Sequence, residues 1–163
     1  MIVIIMGVAG SGKTTIGKML AKYLQWEFCD ADDFHSRSNI QKMQRGIPLN
    51  DGDRLPWLQN IQAAIKKWLE ENRNVVLACS ALKASYRQYL FVGDERIKLV
   101  YLQGSFELIQ KRLHQRQNHF LPEKLLPSQF DTLEEPQEDA IWVDISASPE
   151  LIVSNLAQSL AAS

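Results

Sequence analysis

Apolar and polar positions alternate along this chain in blocks of two kinds. Ile2–Met6 is an unbroken apolar run of strand length, the pattern of a strand covered on both faces. From Thr14 onward, Ile16, Met19, Leu20, Tyr23 and Leu24 fall at helical spacing. A short strand over Glu27–Cys29 leads into the acidic stretch Asp30-Ala31-Asp32-Asp33. Two helical patterns follow, parted by Gly46-Ile47-Pro48-Leu49-Asn50-Asp51-Gly52, a strong turn signal. The longer pattern puts Leu55, Leu58, Ile61, Ile65, Trp68 and Leu69 on one face. Asp53 is its expected N-cap, and Pro56 is expected in the first turn, where a missing N–H costs little. Val75–Cys79, Leu99–Leu102 and Ile141–Ile145 read as three more strands. A helix carrying Phe106, Ile109 and Leu113, then an irregular stretch around 115–138, separates the last two. Ser148-Pro149 opens the closing helix, a cap followed by proline at the first helical position.

Strands that alternate with helices predict an α/β fold, here a five-stranded parallel sheet with helices on both faces. Ligands of such sheets gather at the carboxyl ends of the strands. The glycine-rich and the acidic loops both follow strands directly, so both belong at that edge. With 163 residues the chain has room for one domain spanning 1–163, and not for two.

A net charge of −1 gives no general attraction to nucleic acid or to an anionic membrane. Any bound anion must therefore be held by local positive groups. The apolar start is too short for a signal peptide and runs straight into Gly7-Val8-Ala9-Gly10 and Lys13. No apolar stretch approaches the roughly 20 residues of a membrane helix. Cys29 and Cys79 each end an apolar segment; they read as free thiols of a reduced, cytoplasmic protein.

Gly7-Val8-Ala9-Gly10-Ser11-Gly12-Lys13-Thr14 satisfies the phosphate-loop pattern G-x-x-x-x-G-K-S/T, between an apolar strand and an amphipathic helix as the chemistry requires. Glycines let successive N–H groups point into one concavity, and the helix that starts near Lys13 adds its positive end. Lys13 is expected on the β and γ phosphates and the Thr14 hydroxyl on Mg²⁺. Gly7 through Thr14, with Thr15, form the expected ATP-binding set. Two classes share this loop. A hydrolysing switch or motor carries a Mg²⁺-organising Asp at the end of an apolar strand, but Val75–Cys79 runs into Ser80, and no N-K-x-D segment occurs. Small kinases place carboxylates just after the second strand, where Asp30 and Asp32 stand. A kinase is the expectation.

Beyond the loop, further blocks keep the order seen in one family. They are Asp30-Ala31-Asp32-Asp33-Phe34-His35, Asn39 with Lys42-Met43, and the segment Gly46 to Leu58 with its Pro48-Leu49-Asn50-Asp51-Gly52-Asp53-Arg54-Leu55-Pro56-Trp57 core. Cys79-Ser80-Ala81-Leu82-Lys83, Tyr86-Arg87, Tyr101-Leu102, Arg112-Leu113, Arg116, His119-Phe120, Ser128-Gln129-Phe130 and Leu133-Glu134-Glu135-Pro136 follow. On these blocks, which span nearly the whole chain, it resembles the gluconokinases, a branch of the small P-loop metabolite kinases. Ala9 stands where serine is common and Ser36 where proline is frequent; neither touches the proposed chemistry. The resemblance implies transfer of phosphate from ATP to the 6-hydroxyl of D-gluconate, with Mg²⁺, and a homodimer. The alternatives are a kinase of another small hydroxylated anion such as shikimate, or a nucleotide-hydrolysing switch.

The residues themselves leave choices open. Asp30 and Asp32, two apart, would share a face on an extended segment; a solvated acidic loop capping the next helix is the ordinary explanation, and it suits Asp33. The resemblance makes Asp30 the metal-side residue and Asp32 the base facing the acceptor, with His35 beside it. Lys83 and Arg87, four apart, would share one face of a helix after Ser80. Either they or Arg54 would hold the acceptor's carboxylate, and Arg87 is preferred because a guanidinium grips a carboxylate at two points. Arg54 has Asp51 and Asp53 as alternative partners. The resemblance sets Arg112 against the adenine and brings Arg116 from a lid over about 113–128 to the transferring phosphate. It assigns acceptor binding to the helical region about 36–60. Of the four tryptophans, Trp57 is the one with a potential ligand role.

Overall fold

The computed structural model describes residues 1–115, 125–137 and 139–162. Five strands, β1 (Ile2–Met6), β2 (Glu27–Asp30), β3 (Val75–Ala78), β4 (Ile97–Gln103) and β5 (Ile141–Asp144), form one sheet in the order β2-β3-β1-β4-β5, and every pairing is parallel. Ile2 pairs with Val75 on one side and Ile97 on the other, so β1 is the central strand. Its five residues are fully buried. At roughly 1.5–3 kcal/mol for each large side chain removed from water, this run anchors the sheet.

The alternation along β1 sorts the core into two layers. Ile2, Ile4 and Met6 pack with α3 (Asp51–Glu70) and α4 (Ala84–Phe91) through Trp57, Ile61, Ile65, Trp68, Tyr86 and Leu90. Val3 and Ile5 face the other layer, made by α1 (Lys13–Leu24), α5 (Phe106–Gln115) and α7 (Pro149–Ala161). The other elements among the described residues are short: a 3₁₀ turn over Ala31–Phe34, α2 (Arg37–Gln44) and α6 (Leu126–Thr132). Because β1 lies between β3 and β4, the chain reverses direction across the sheet there, and a crevice opens at the carboxyl ends of these strands. Among the described residues no helix is long and apolar enough to cross a membrane.

Three expectations are corrected around α3. Its N-cap is Asn50, not Asp53: Asn50 Oδ1 accepts from the Asp53 N–H at 2.8 Å, and Asp53 Oδ2 accepts from the Asn50 N–H at 3.1 Å. This reciprocal capping box satisfies two orphan donors, which Asp53 alone could not do. Starting the helix at Asp51 also moves Pro56 beyond the first turn, where it removes one main-chain bond to the Gly52 carbonyl. Leu55 is 40% exposed and off the buried face. The helix after Ser80 starts only at Ala84, so Lys83 is its cap residue and does not share a helical face with Arg87.

Candidate active site

The phosphate loop follows β1 without a break. The Gly7 N–H reaches the Ser80 carbonyl at 3.4 Å, and the Ile16 N–H meets the Gly12 carbonyl at 2.8 Å to start α1. Gly10 and Gly12 sit at φ 79° and 102°, left-handed conformations that glycine adopts without strain. A Cβ on Gly10 would also meet Leu113 at 2.6 Å. The first turn of α1 holds no acidic residue, so its positive end is left for an anion. Lys13 Nζ lies 3.0 Å from the Val8 carbonyl, folded over the loop. Among the described residues Ser11 Oγ is the buried side-chain polar atom without a partner. An orphaned polar atom inside this loop fits a structure shaped around a ligand.

The acidic segment comes next to it. Asp30, at the end of β2, accepts from Thr14 Oγ1 at 2.9 Å through Oδ2 and from the Asp32 N–H at 2.9 Å through Oδ1. The second bond turns the chain into a 3₁₀ turn over Ala31–Phe34, so Asp30 and Asp32 do not lie on one extended segment as expected. The turn swings Asp32 inward. Burial, reinforced by the nearby Asp30 carboxylate, lifts its pKa to about 6 against the pull of Lys13. A carboxyl poised there can accept a proton near neutral pH. Thr14 and Asp30 supply hard oxygen donors of the type Mg²⁺ prefers. Among the described residues no three His, Cys, Asp or Glu side chains form a cage, so phosphate oxygens and water would complete such a site.

One cavity joins the two parts. Lys13, Asp32, His35, Arg54, Trp57 and Ser80 line it, with Met43, Leu49 and Leu125 packed together at its apolar wall. Trp57 is held by its indole N–H on the Ala31 carbonyl at 2.7 Å, and His35 stacks on it with ring centres 4.3 Å apart and planes 10° from parallel. Burial, with the Arg54 charge, lowers the His35 pKa to about 4, which keeps the ring neutral. Arg54 Nη1 donates to the Tyr86 hydroxyl at 3.1 Å. Tyr86 in turn donates to Asp51, which also pairs with Lys83 at 3.0 Å. On the far side of the loop a second cavity is lined by Gly10, Gly12, Thr15, Arg112, Ile145 and Pro149, and Arg112 Nη2 is tied to the Ile145 carbonyl at 2.7 Å.

The family model described as shikimate kinase matches residues 9–151. A gluconokinase of Arabidopsis thaliana is 44% identical over 174 residues, covering 98% of this chain and 92% of that protein. The thermosensitive gluconokinase of Escherichia coli K12 is also 44% identical, covering 88% of this chain and 78% of that protein. The chain belongs to the gluconokinase family. The crystal structure of a gluconokinase from Sinorhizobium meliloti superposes with a TM-score of 0.81 at 38% identity, covering 98% of this chain and 94% of that one. An APS kinase of Mycobacterium tuberculosis, 14% identical with a TM-score of 0.73, shares the P-loop kinase fold.

Within this gluconokinase fold the expected residues separate into three groups. Gly7, Val8, Ala9, Gly10, Ser11, Gly12, Lys13, Thr14 and Thr15 form the loop and the start of α1; Asp30, Asp32, His35 and Arg54 converge beside it; Arg112 flanks its other side. Arg87 does not join them. Its side chain is 6% exposed, and Nη1 donates to the Ala81 and Leu82 carbonyls at 2.8 and 3.2 Å. It faces a different depression, with Gln88, Leu99 and Asp139. The reason is local: Ala81 takes a left-handed conformation, φ 45°, and its buried carbonyl has Arg87 as donor, while the Leu82 carbonyl also accepts from the Glu134 N–H at 2.7 Å. Lys83 pairs with exposed Asp51 and lies outside the cavity lining. Among the described residues Arg54 is therefore the arginine that lines the cavity with Asp32 and His35. Arg116 and most of the segment 113–128, with His119 and Phe120, lie outside the described residues.

Sequence reasoning missed Gln129, whose Oε1 accepts from the Ala9 N–H at 3.1 Å, and the structural part played by Asn39. Both stand in blocks that carried the family resemblance, which was the available signal.

Proposed function

We propose that this protein transfers the γ-phosphoryl group of ATP to the 6-hydroxyl of D-gluconate, giving 6-phospho-D-gluconate and ADP. The observation that carries this reading is the cavity that joins Lys13, Asp32, His35 and Arg54 next to the phosphate loop, in a chain of the gluconokinase family. The acceptor is a carboxylate on a chain of hydroxyls. It needs a cation for the acid group, polar groups for the hydroxyls and a base at the reacting end, and the cavity offers Arg54, then His35 and Ser80, then Asp32 for these parts.

Phosphoryl transfer asks little covalent work of the protein; positioning and charge neutralisation dominate. The loop N–H groups and Lys13 hold the triphosphate, and Arg112 borders the adenine. Asp32 accepts the proton of the 6-hydroxyl as its oxygen bonds to the γ-phosphorus and the bond to the β-phosphate breaks. Arg54, carried by Tyr86, pairs with the acceptor's carboxylate. Mg²⁺, held through Thr14 and Asp30, would neutralise phosphate charge when bound. The family resemblance adds Arg116 as a further charge at the transferring group.

An acceptor screen with purified protein, ATP and Mg²⁺ tests the reading by following ADP release. Release that depends on gluconate supports it. Release with shikimate or a nucleoside monophosphate, and none with gluconate, would leave a kinase and remove the sugar-acid assignment.

A further inference from the structure

A sugar hydroxyl both gives and accepts hydrogen bonds, so a cavity that reads it needs a donor as well as the Asp32 acceptor. His35 lines that cavity, and whether its free nitrogen gives or accepts is set by the bond its other nitrogen makes. The contacts around α2 decide the matter. The main-chain carbonyl of Asp53 lies 2.8 Å from Asn39 Nδ2. A carbonyl only accepts, so this bond fixes which end of the Asn39 amide faces Asp53. The same Nδ2 approaches His35 Nδ1 at 3.3 Å. An amide nitrogen has hydrogens to give and nothing to accept with, so Nδ1 must carry the lone pair and the ring proton must sit on Nε2.

Neither partner has freedom to change roles. Asn39 is 6% exposed, and its own N–H is held by the N-cap Ser36 Oγ at 3.1 Å. The imidazole plane is set by the stack on Trp57. Among the described residues nothing accepts from His35 Nε2. We propose that Asn39 is a positioning residue that holds His35 as the Nε2–H tautomer, so that the cavity offers one neutral donor to an acceptor hydroxyl beside the accepting carboxylate of Asp32. The donor's neutrality has a use: an imidazolium here would add a further positive charge next to Arg54. The role given to the hydroxyl rests on the acceptor reading above; the tautomer does not.

Two-bond ¹H–¹⁵N spectra of the full-length, ¹⁵N-labelled protein at pH 7, without nucleotide or acceptor, read the tautomer directly. His35 is assigned by the signal lost in His35→Gln. The expected result is a pyrrole-like Nε2 and a pyridine-like Nδ1 in the wild type. Asn39→Asp replaces the donor by an acceptor and should move His35 to Nδ1–H or to the charged ring. It should also raise the acceptor KM by about tenfold, the equivalent of one hydrogen bond of about 1.4 kcal/mol, with the KM for ATP unchanged. His35→Phe keeps the stack and loses the donor, so it should match that rise, whereas His35→Gln, which keeps an amide donor, should recover part of it. A wild-type ring carrying its proton on Nδ1, or a folded Asn39→Asp protein with an unchanged tautomer, would overturn the proposal. The wild-type spectrum decides this even where the variant fails to fold. The expected spectra in a protein that phosphorylates no sugar acid would leave the tautomer standing and remove the reading of the acceptor.

Discussion

Between Met6 and Lys13 the site is built of main chain; between Asp32 and Trp57 it is built of side chains. The phosphate loop requires left-handed conformations at Gly10 and Gly12, a helix start free of acid, and one lysine. All of these are local. The cavity beside it draws Asp32 from a 3₁₀ turn, Arg54 and Trp57 from α3, Ser80 from just beyond β3 and Leu125 from the approach to α6. Its parts are oriented by partners far along the chain: Tyr86 for Arg54, Ala31 for Trp57, Asp53 for Asn39. A backbone site tolerates side-chain exchange at most of its positions. A site of side chains does not, and the two should respond to substitution in different ways.

The largest effect belongs to the acceptor side. Asp32→Asn should bind ATP normally and lose about 10²–10⁴ in turnover, the usual worth of a positioned base, as measured by steady-state kinetics alongside nucleotide binding. Retention of more than a tenth of the activity would reduce Asp32 to an orienting role. Lys13→Ala should cost about 10²–10³ in kcat and leave the thermal midpoint unchanged, because the side chain lies on the loop and outside the core.

The third comparison separates two arginines. Arg54→Ala should lower kcat/KM for gluconate by roughly 30- to 1,000-fold, as about 2–4 kcal/mol of paired charge is lost, and should spare the KM for ATP. Arg87→Ala should instead lower stability by about 1–3 kcal/mol, through the buried Ala81 carbonyl left without its donor while the Leu82 carbonyl keeps the Glu134 N–H, and keep the preference for gluconate. Denaturant titration and acceptor kinetics on both variants resolve the pair; an inverted pattern would return the carboxylate site to Arg87.

Residue by residue, the sequence was readable where function rests on local conformation. The apolar run Ile2–Met6, the glycine spacing and the helical spacing of apolar residues from Ile16 onward placed β1, the loop and α1. The sheet's parallel character followed from the alternation of elements. Arg87 shows where this stops. Four-residue spacing and a place after a strand suited a substrate contact, but nothing in the sequence shows that the turn at Ala81 would leave a buried carbonyl for Arg87 to satisfy. The Asn50 cap was hidden in a similar way. Asn50 and Asp53 both suit the role, and only the reciprocal bond chooses between them. The Asp30 bond that curls Asp32 out of the strand line is again a side chain acting on main chain two residues away.

The smallest effect concerns the strain of holding a base in the cavity. Asp32 titrates near 6 in the fold against an ordinary 3.8, so the folded state binds its proton more tightly than the unfolded chain does. The stability this confers is present below 3.8 and is lost as pH rises towards 6. An amide at this position cannot ionise. In the absence of nucleotide and metal, Asp32→Asn should therefore melt higher than wild type by an amount that grows between pH 4 and pH 7, at about 2–4 °C per kcal/mol for a chain of this size. An equal midpoint at both pH values would mean that the carboxylate is not strained by its surroundings.

The central claim is that Arg54, in the cavity it shares with Asp32, selects a carboxylate-bearing acceptor. Its most direct test is the ratio of kcat/KM for gluconate to that for sorbitol, which has the hydroxyls without the acid, on one preparation of the wild-type protein. Sorbitol leaves Arg54 desolvated and unpaired, at a cost of roughly 2–5 kcal/mol. The account predicts that sorbitol reaches at most a few per cent of the efficiency with gluconate, at about tenfold per 1.4 kcal/mol. Equal efficiencies with the two acceptors would contradict it.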